Sequence, residues 1–476
     1  MIDLVIRGGQ VVTPWGVGPW DVAIEGEKIV AVAESGNLPT DVGRVIDATG
    51  KVVVPGGIEP HAHVSSPVPG RPGAVTSPPE PVSRAALFGG TTTLTDFAIQ
   101  QGSVDIPGAI AERTSEWKGH SYCDYSHHIM MLGEIPPNVI AQVPEAIQSG
   151  HATFKIFTTN IRPTELIADG QHRLVGMGHL LGMMEQTASN GGLMFVHAED
   201  DDIVQYMYKK LTREERTESY NIHEVHNNEV EDMAFRRVIR MAEITGSALY
   251  FVHISAKEGL DAVREARSRD LPVYGETLHN YVSFNAEVYK KPDGPIYHTY
   301  PSLKSEEDRV ALWDGLLNGG ISSMATDGSC TDFAMKTSGR TIHDVSGGHH
   351  GIETRMGITY GEAVINRGMS LEQYVDITSA NAARIMGYYP RKGAIAPGSD
   401  ADIVLIDPTI KRALTLNDLH MGDYSIWEGW SINGWPAITI LRGKVMVENG
   451  QFFGDVNDGK FIPRKIAPEI LNRPAC

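Results

Sequence analysis

Eight short apolar runs in the middle of the chain, separated by helix-like segments, constrain the fold more than any other feature. They lie between about residue 52 and about residue 385, and the first and last of them read VVVPGGIEPHAHV and ISSMATDG. Intervening segments such as VEDMAFRRVIRMAEITG repeat apolar residues about every 3.6 positions, as amphipathic helices do. Strand–helix units in this number predict an α/β protein with a (β/α)8 TIM-like barrel, and a doubly wound open sheet is the alternative.

The two ends of the chain have a different pattern. DLVIRGGQVV near the amino terminus, and DADIVLID and AITILRGKVMVENGQFFG after about residue 390, combine β-branched residues with turn-forming glycines. We therefore predict a small β-sandwich domain formed by residues 1–51 and 390–460, with the barrel at residues 52–389. Residues 461–476, rich in proline and basic residues, form a carboxyl-terminal tail for which a place at a subunit interface is the hypothesis.

Charge and cysteine content exclude several classes of protein. The chain carries 41 Lys and Arg against 59 Asp and Glu, a formal net charge of −18, which argues against nucleic acid or an anionic membrane as a partner. The three cysteines lie far apart, the first residues lack the pattern of a signal peptide, and no apolar run reaches about 18 residues. We therefore expect a cytoplasmic protein without a disulfide framework or a membrane segment.

Two of the apolar runs carry residues that suit a metal site. His61 and His63 end the first run, and residues two apart on a strand point to the same side, so both rings can reach one metal ion; two hydrogen-bonded loop histidines are the alternative. Lys155 lies inside ATFKIFTT, where a buried ammonium must be paired, shifted in pKa or chemically altered. A neutral amine can react with carbon dioxide to give a carbamate that bridges two cations, whereas a lysine at a strand end can instead reach solvent.

Three further runs each end in a residue that can bind metal, namely His197 in MFVHAED, His253 in YFVHIS and Asp327 in MATDGSC. Because the carboxyl ends of parallel barrel strands meet at one mouth, where barrel enzymes keep their catalytic groups, the candidates on five strands converge there. Together they predict a binuclear metal site.

As an ordered set these motifs resemble those of the amidohydrolase superfamily, most closely its hydantoinase and dihydropyrimidinase branch, over nearly the whole chain. GGIEPHAH is similar to the first-strand HxH motif, FKIF to the strand that carries a carboxylated lysine, and VHAE, VHISAKEGLDAV and ATDG to the next three ligand motifs. The interval between the lysine and VHAE is longer than in the family, which suggests an insertion around NIRPTELIADG.

The resemblance implies two divalent metal ions per subunit, and zinc is expected from the nitrogen and oxygen ligands. One ion would be held by His61, His63 and Asp327, the other by His197 and His253, with Lys155, carboxylated by carbon dioxide, as the bridge. A hydroxide between the ions would attack the substrate, and Asp327 would act as the catalytic acid and base that moves its proton to the leaving nitrogen.

Several positions depart from the family pattern. Glu59 stands where the family usually has Asp, and we expect it to support the metal ligands. Asn160 takes the position of a tyrosine whose hydroxyl polarises the substrate carbonyl in hydantoinases, and Tyr300 takes that of a substrate-binding serine. We hypothesise that the hydroxyl of Tyr300 replaces the missing one; a packing tyrosine is the alternative.

The segment before GIETR departs as well. Ser346 or Gly347 occupies the place of the family's asparagine, and His349 and His350 lie nearby as candidate substrate contacts on a loop. HAHVS lacks the arginine that dihydroorotases use to bind a carboxylate, which disfavours that activity. The predicted metal ligands are thus retained while the predicted substrate contacts differ.

The sequence therefore predicts a metal-dependent hydrolase that opens a C–N bond of a small cyclic amide, imide or ureide. One alternative keeps the binuclear chemistry but applies it to a different lactam, a heterocycle or an acyclic amide. Another, a non-catalytic scaffold related to dihydropyrimidinases, is disfavoured because no predicted ligand is lost. Since relatives are commonly homotetramers, the resemblance implies a homotetramer or a homodimer.

Overall fold

The protein is described by a computed structural model that covers residues 2–168 and 170–476. Met1, in the predicted amino-terminal β segment, and Asp169, in the predicted insertion, lie outside the described residues. The strands are β1 Leu4–Arg7, β2 Gln10–Thr13, β3 Gly16–Gly18, β4 Trp20–Glu25, β5 Lys28–Glu34, β6 Arg44–Asp47, β7 Val52–Pro55, β8 Gly57–Glu59, β9 Thr91–Gln101, β10 Asp124–Leu132, β11 Thr153–Phe157, β12 Leu193–His197, β13 Ala248–Phe251, β14 Val273–Leu278, β15 Ser323–Ala325, β16 Ile403–Ala413, β17 Ser431–Leu441, β18 Lys444–Glu448 and β19 Gln451–Phe452.

The α-helices are α1 Pro79–Phe88, α2 Ile106–Trp117, α3 Pro137–Ile140, α4 Val143–Gln148, α5 Met177–Asn190, α6 Asp201–Arg213, α7 Ile222–Val225, α8 Asn228–Thr245, α9 Lys257–Arg267, α10 His279–Ser283, α11 Glu306–Asn318, α12 Phe333–Ser338, α13 Arg355–Thr359, α14 Leu371–Val375, α15 Asn381–Met386 and α16 Pro468–Asn472. Short 3-10 helices span Thr164–Leu166, Ser219–Asn221, Ala286–Lys290, Gly294–Tyr297 and Leu416–Asp418, and π-helical turns span Tyr360–Ile365 and Asp376–Ala380.

The strands β8 to β15 form one parallel sheet in sequence order, with helices in the connections. Its first and last strands approach each other just past their ends, where Ala62 and Gly328 form a parallel bridge and the His63 amide donates to the Gly328 carbonyl at 2.8 Å. The sheet is therefore a nearly closed barrel, and the predicted (β/α)8 fold is confirmed.

Helix α8 illustrates how local sequence sets the ends of the barrel helices. The Asn227 side chain accepts a hydrogen bond from the Val230 amide at 3.1 Å and so satisfies one of the free amides of the first turn. At the other end Gly246 adopts a left-handed φ of 74°, a conformation in which glycine carries no Cβ penalty. The buried face between them packs into the main hydrophobic core around the barrel.

Both ends of the chain form a second unit of two sheets, with strand orders β5-β4-β1-β6 and β19-β18-β17-β16-β7-β2-β3. One apolar cluster joins the two sheets; it includes Ile6, Ile24, Val53, Ile403 and Ile440. A separate sheet domain built from both termini is thus confirmed. Val52–Pro55, placed in the barrel by the sequence, pairs with β2 and β16 of this domain. The predicted boundary between residues 51 and 52 stays a prediction.

A buried ionic cluster joins the two domains. The Lys392 ammonium lies 2.5 Å from a carboxylate oxygen of Asp124, at the start of barrel strand β10, and 2.6 Å from one of Asp402, which precedes β16. Arg442, just after β17, makes a further ion pair with Asp124. Because buried charges are tolerated only when they are paired, this cluster fixes how the sheet domain meets the barrel.

The carboxyl-terminal tail packs against the amino-terminal ends of this chain's own barrel strands. The Ile462 amide donates to the Tyr125 carbonyl at 2.8 Å, and the Tyr274 hydroxyl donates to the Ile470 carbonyl at 2.9 Å. The role of residues 461–476 at a subunit interface stays a prediction. Across residues 2–168 and 170–476, no helix has both the length and the apolar character that a membrane span requires.

Candidate metal centre and substrate cavity

The six predicted metal ligands lie together at the carboxyl ends of the barrel strands. They lie in or directly after β8, β11, β12, β13 and β15, and all six line one cavity: His61, His63, Lys155, His197, His253 and Asp327. The structure therefore brings together the complete set that the sequence predicts.

Three of these residues form a compact group that can hold one cation. The Nε2 atoms of His61 and His63 each lie 3.2 Å from Oδ1 of Asp327, and one ligand atom from each residue lies within 4.8 Å of the others. Burial alone would raise the pKa of Asp327, but the two imidazoles beside it lower that pKa to about 2. Asp327 is therefore a carboxylate, the form that binds metal.

The other two histidines lie beside this group, with the His253 ring 5.5 Å from that of His61 between centroids. The rings of His197 and His253 are 4.5 Å apart between centroids, and the Lys155 ammonium lies 3.4 Å from Nε2 of His61. Nε2 of His197 bonds to a carboxylate oxygen of Glu199 at 2.8 Å, which leaves Nδ1 as the nitrogen free to bind a cation. The lysine thus lies among the histidines that the sequence predicts as ligands of two ions.

The side chain of Lys155 is fully buried, so it is not a strand-end lysine that reaches solvent. Its ammonium lies 5.5, 5.0 and 5.6 Å from the ring centroids of Phe97, Phe157 and Phe195. No described carboxylate lies within ion-pair distance of it, and burial lowers its pKa to about 7. An uncompensated amine among these donors fits a lysine that becomes a carbamate and binds two divalent cations.

Buried carboxylates hold the histidine ligands in place. Glu276 accepts a hydrogen bond from Nδ1 of His61 at 2.5 Å, from the His253 amide at 3.3 Å and from the Tyr250 hydroxyl at 2.8 Å. Burial raises the pKa of Glu276 to about 8. The bond to Nδ1 leaves Nε2 of His61 for the metal, as is usual for histidine ligands.

Glu59 and Glu199 have similar supporting positions. Glu59 accepts hydrogen bonds from the amides of His61 at 3.0 Å and Thr326 at 3.1 Å, which is the supporting position expected for it. Glu199 bridges His197 and His226, each at 2.8 Å. Burial by itself raises the pKa of Glu199, but the two imidazoles lower it below its usual range.

Sequence reasoning missed Glu199 and Glu276, although a signal for both was present. Glu276 ends the seventh apolar run, LPVYGE, and Glu199 lies two residues after His197 in the fifth. A charged residue that closes an apolar strand is the pattern that marked the metal ligands, and it applies equally to the carboxylates that orient them.

The cavity in front of the ligands has a volume of about 380 Å³ and is lined by three of the predicted substrate contacts, Asn160, Tyr300 and Gly347. The Tyr300 hydroxyl donates its proton to the Val345 carbonyl at 3.1 Å, so it is not free to polarise a substrate carbonyl in this arrangement. A Cβ at position 347 would lie 2.6 Å from Cδ2 of Tyr300, so the close approach of this ring requires glycine there.

The structure does not bring the other predicted substrate contacts to the cavity. Nε2 of His350 bonds to the Thr331 carbonyl at 2.7 Å, and the His349 ring packs edge-on against Trp427 with centroids 5.4 Å apart. Ser346 is buried and does not line the cavity. These three side chains lie in the packing behind the cavity wall.

Asn160 has a structural role in the cavity wall. Its Oδ1 accepts hydrogen bonds from the backbone amides of Arg173 at 2.9 Å and Leu174 at 3.1 Å. The backbone amide of Asn160 donates to Oδ1 of Asp201 at 2.8 Å. The side chain of Arg173, which sequence reasoning also missed, points into the cavity.

Comparisons with known proteins agree with this arrangement. The sequence profile of the Amidohydrolase family matches residues 139–446. The chain is 33% identical to the D-hydantoinase of Geobacillus stearothermophilus over 467 residues, which cover 97% of this chain and 96% of that protein. The crystal structure of dihydropyrimidinase from Brevibacillus agri superposes with a TM-score of 0.90 at 33% identity, and that of D-hydantoinase from Bacillus sp. AR9 with a TM-score of 0.91 at 33% identity. Each superposition covers 98% of this chain and 100% of the other.

Proposed function

From the premise that this chain belongs to the amidohydrolase family, we propose that it is a metal-dependent hydrolase that opens a C–N bond of a cyclic amide, imide or ureide. One observation carries the proposal: all six predicted metal ligands line a single cavity at the barrel mouth. The full-length similarity to D-hydantoinases and to a dihydropyrimidinase supports the same reaction class.

The donor set would hold two divalent cations per subunit, and its nitrogen and oxygen ligands favour zinc. When bound, such a pair supplies a hydroxide nucleophile at neutral pH and polarises the scissile carbonyl. Lys155 would bridge the pair after its neutral amine adds to carbon dioxide, which forms an N–C bond and releases one proton. Its burial among aromatic rings favours the neutral amine that this reaction needs.

Asp327 is placed to move the proton. It is a carboxylate between His61 and His63, so it can accept a proton from the water that attacks the carbonyl carbon. As the C–N bond breaks, Asp327 returns that proton to the leaving nitrogen, and a carboxylate and an amine or urea nitrogen result. The histidine rings, oriented by buried glutamates, keep the carboxylate in position for both transfers.

The alternative substrate classes, a different lactam, a heterocycle or an acyclic amide, are favoured by one feature of the cavity. The hydroxyl of Tyr300 is engaged by the Val345 carbonyl, so in this arrangement it cannot take over the role of the family's tyrosine hydroxyl. A non-catalytic scaffold is disfavoured because the ligand set is complete.

We further propose that the protein works in the cytoplasm as a homotetramer or a homodimer. The resemblance to the hydantoinase branch and the cysteine pattern support these proposals.

The test is a ring-opening assay on a metal-replete preparation with hydantoin, dihydrouracil, a cyclic imide and a lactam. We expect opening of at least one ring class, loss of activity on chelation and recovery when zinc is restored. The Asp327→Asn variant should lose at least about 1,000-fold in kcat, since it removes both a ligand and the proton carrier. Activity that survives both chelation and this substitution would overturn the proposal.

A further inference from the structure

We propose that the substrate ring carries a short side chain ending in a carboxylate, and that the guanidinium of Arg173 binds this group. The inference rests on the proposed function, because it concerns the substrate class of the same cavity.

Arg173 is a cation without a partner on the cavity wall. Its half-buried side chain lines the cavity, and among the described residues its guanidinium makes no hydrogen bond and no ion pair. Its contact there is with the ring of Phe157, whose centroid lies 5.1 Å from Cζ. A guanidinium offers five N–H donors, and withdrawing these from water is costly unless an anion replaces the water.

The backbone of Arg173 is held firmly. Its amide donates to Oδ1 of Asn160 at 2.9 Å, and its carbonyl accepts from the Gly133 amide at 3.4 Å. Two residues later the Val175 amide donates to the Phe157 carbonyl at 2.8 Å, which fixes this segment beside the end of β11. The fixed backbone limits where the guanidinium can lie, so part of the entropy cost of ordering this residue is met before a ligand binds.

The other arginines of the cavity wall are already engaged. Arg162 donates to the carbonyls of Pro69 at 2.8 Å and His343 at 2.6 Å, and Arg71 donates to the Ser338 hydroxyl at 2.8 Å. On the described wall the guanidinium of Arg173 therefore remains free to bind a ligand. Its two parallel N–H groups match the two oxygens of a single carboxylate.

The cavity also has the charge that an anionic substrate needs. Arg71, Arg162 and Arg173 line it, and the carboxylate among its described lining residues is that of Asp327, which belongs to the metal group. In a protein of net charge −18 this is a local reversal of sign, which attracts anions to the cavity and repels cations.

The position of Arg173 limits the length of the acidic side chain. The ring of Phe157 contacts both cations: its centroid is 5.0 Å from the Lys155 ammonium and 5.1 Å from Cζ of Arg173. The ammonium and the guanidinium are therefore no more than about 10 Å apart, so the gap between a substrate carbonyl at the metal centre and the guanidinium is short. A side chain of one or two carbons before the carboxylate spans that gap and fits a cavity of about 380 Å³.

The test compares two rings of matched shape, 5-(2-carboxyethyl)hydantoin and its carboxamide, 5-(2-carbamoylethyl)hydantoin. We expect the wild type to open the acid with a kcat/KM at least about 10-fold higher, since a charge-assisted fork is worth about 1.5–3 kcal/mol. Arg173→Gln should abolish this preference by raising KM for the acid alone, and Arg173→Lys should retain part of it. Arg213→Gln, which changes an exposed arginine of α6, should behave as the wild type.

A binding measurement separates this inference from the proposed reaction. The open-ring compounds N-carbamoylglutamate and N-carbamoylglutamine are titrated calorimetrically into metal-replete protein. Tighter binding of the dicarboxylate than of its amide, lost in Arg173→Gln, supports the inference even if no hydantoin is opened. Failure to open any hydantoin would count against the proposed reaction and not against this inference. Equal binding and equal turnover of acid and amide by the wild type would overturn the inference, whether or not the variants fold.

Discussion

The side-chain oxygen of Asn160 accepts a hydrogen bond from the backbone amide of Arg173, with 2.9 Å between Oδ1 and the nitrogen. The sequence predicts that Asn160 takes the position at which hydantoinases place a tyrosine that contacts the substrate. In this protein the position instead anchors the segment that presents an arginine to the cavity. Asparagine at this position thus gives up the contact that a tyrosine would make, and by anchoring Arg173 it makes a different substrate contact possible.

Replacing Asn160 by alanine is expected to loosen the segment around Arg173. The backbone amides of Arg173 and Leu174 would lose their acceptor, which should destabilise the folded conformation of this segment by about 1–3 kcal/mol. We expect a roughly 10-fold rise in KM for an acidic ring and a smaller change for its neutral counterpart, measured by initial rates. Asn160→Asp keeps the acceptor but adds a negative charge to the cavity wall, so it should retain order and lose the preference for acids. An unchanged KM for the acid in both variants would contradict this account.

The positions of the candidate metal ligands could be predicted from sequence because strand geometry is regular. A residue that closes an apolar strand lies at the barrel mouth whatever the helices do, so His197 and Asp327 could be assigned without knowledge of their partners. The same regularity does not show where the chain passes from one sheet to the next near Pro55. VVVPGG is continuously apolar, and its change of sheet after Pro55 depends on close packing at Gly56, where a Cβ would lie 2.1 Å from Oγ1 of Thr92.

The substrate side of the cavity could not be predicted in this way. Arg173 lies in a segment without strand or helix periodicity, and its direction depends on hydrogen bonds to Asn160 and Gly133, which are distant in sequence. His349 lies near the predicted site in sequence, but it packs against Trp427, which follows the barrel by many residues. Loop side chains are oriented by tertiary contacts that local patterns do not encode.

Glu276 is expected to control metal affinity through His61. Glu276→Gln keeps the shape of the side chain but replaces by an amide the carboxyl group that orients the His61 ring across 2.5 Å. We expect a 10- to 100-fold loss of metal affinity, roughly the size of other such losses, measured by competition with a chelator. Glu362→Gln, which changes a partly buried carboxylate paired with Arg367, is the control and should leave affinity unchanged. Equal affinities in both variants would argue against a positioning role.

Lys392 is expected to hold the two domains together. In Lys392→Met the carboxylates of Asp124 and Asp402 lose their buried cation, which should lower the free energy of unfolding by about 3–5 kcal/mol in denaturant titrations. Lys28→Met is the matched control, because Lys28 also pairs with a carboxylate of the cluster, Asp400 at 2.7 Å, but is largely exposed. We expect less than about 1 kcal/mol for the control. Similar losses in the two variants would contradict the assignment.

The free energy of unfolding should fall in mild acid because of the buried imidazole of His151, which lies near the amino-terminal end of β11. His151 is packed with His127, Phe461 and Arg464, and its Nδ1 lies 3.0 Å from the Ser149 hydroxyl. Burial, reinforced by the Arg464 charge, lowers the pKa of His151 from 6.5 to about 4. The unfolded chain binds a proton below about pH 6.5 and the folded chain does not, so the stabilisation is complete above that pH and is lost on acidification toward pH 4.

The check is the free energy of unfolding between pH 7 and pH 4.5 for the wild type and His151→Gln. We expect the variant to lose less stability over this interval, by on the order of 2 kcal/mol. His120→Gln changes an exposed imidazole and should follow the wild type. A slope that is the same in all three proteins would show that His151 does not contribute.

Lys155 decides whether the barrel mouth is a binuclear hydrolytic centre. The measurement is elemental analysis of wild type and Lys155→Ala, both prepared with zinc and bicarbonate, with ring opening assayed on the same samples. We expect close to two zinc ions per wild-type chain, with loss of at least one ion and of nearly all turnover in the variant. Two ions and undiminished ring opening in Lys155→Ala, or a wild type that opens rings without metal, would contradict the assignment of this cavity.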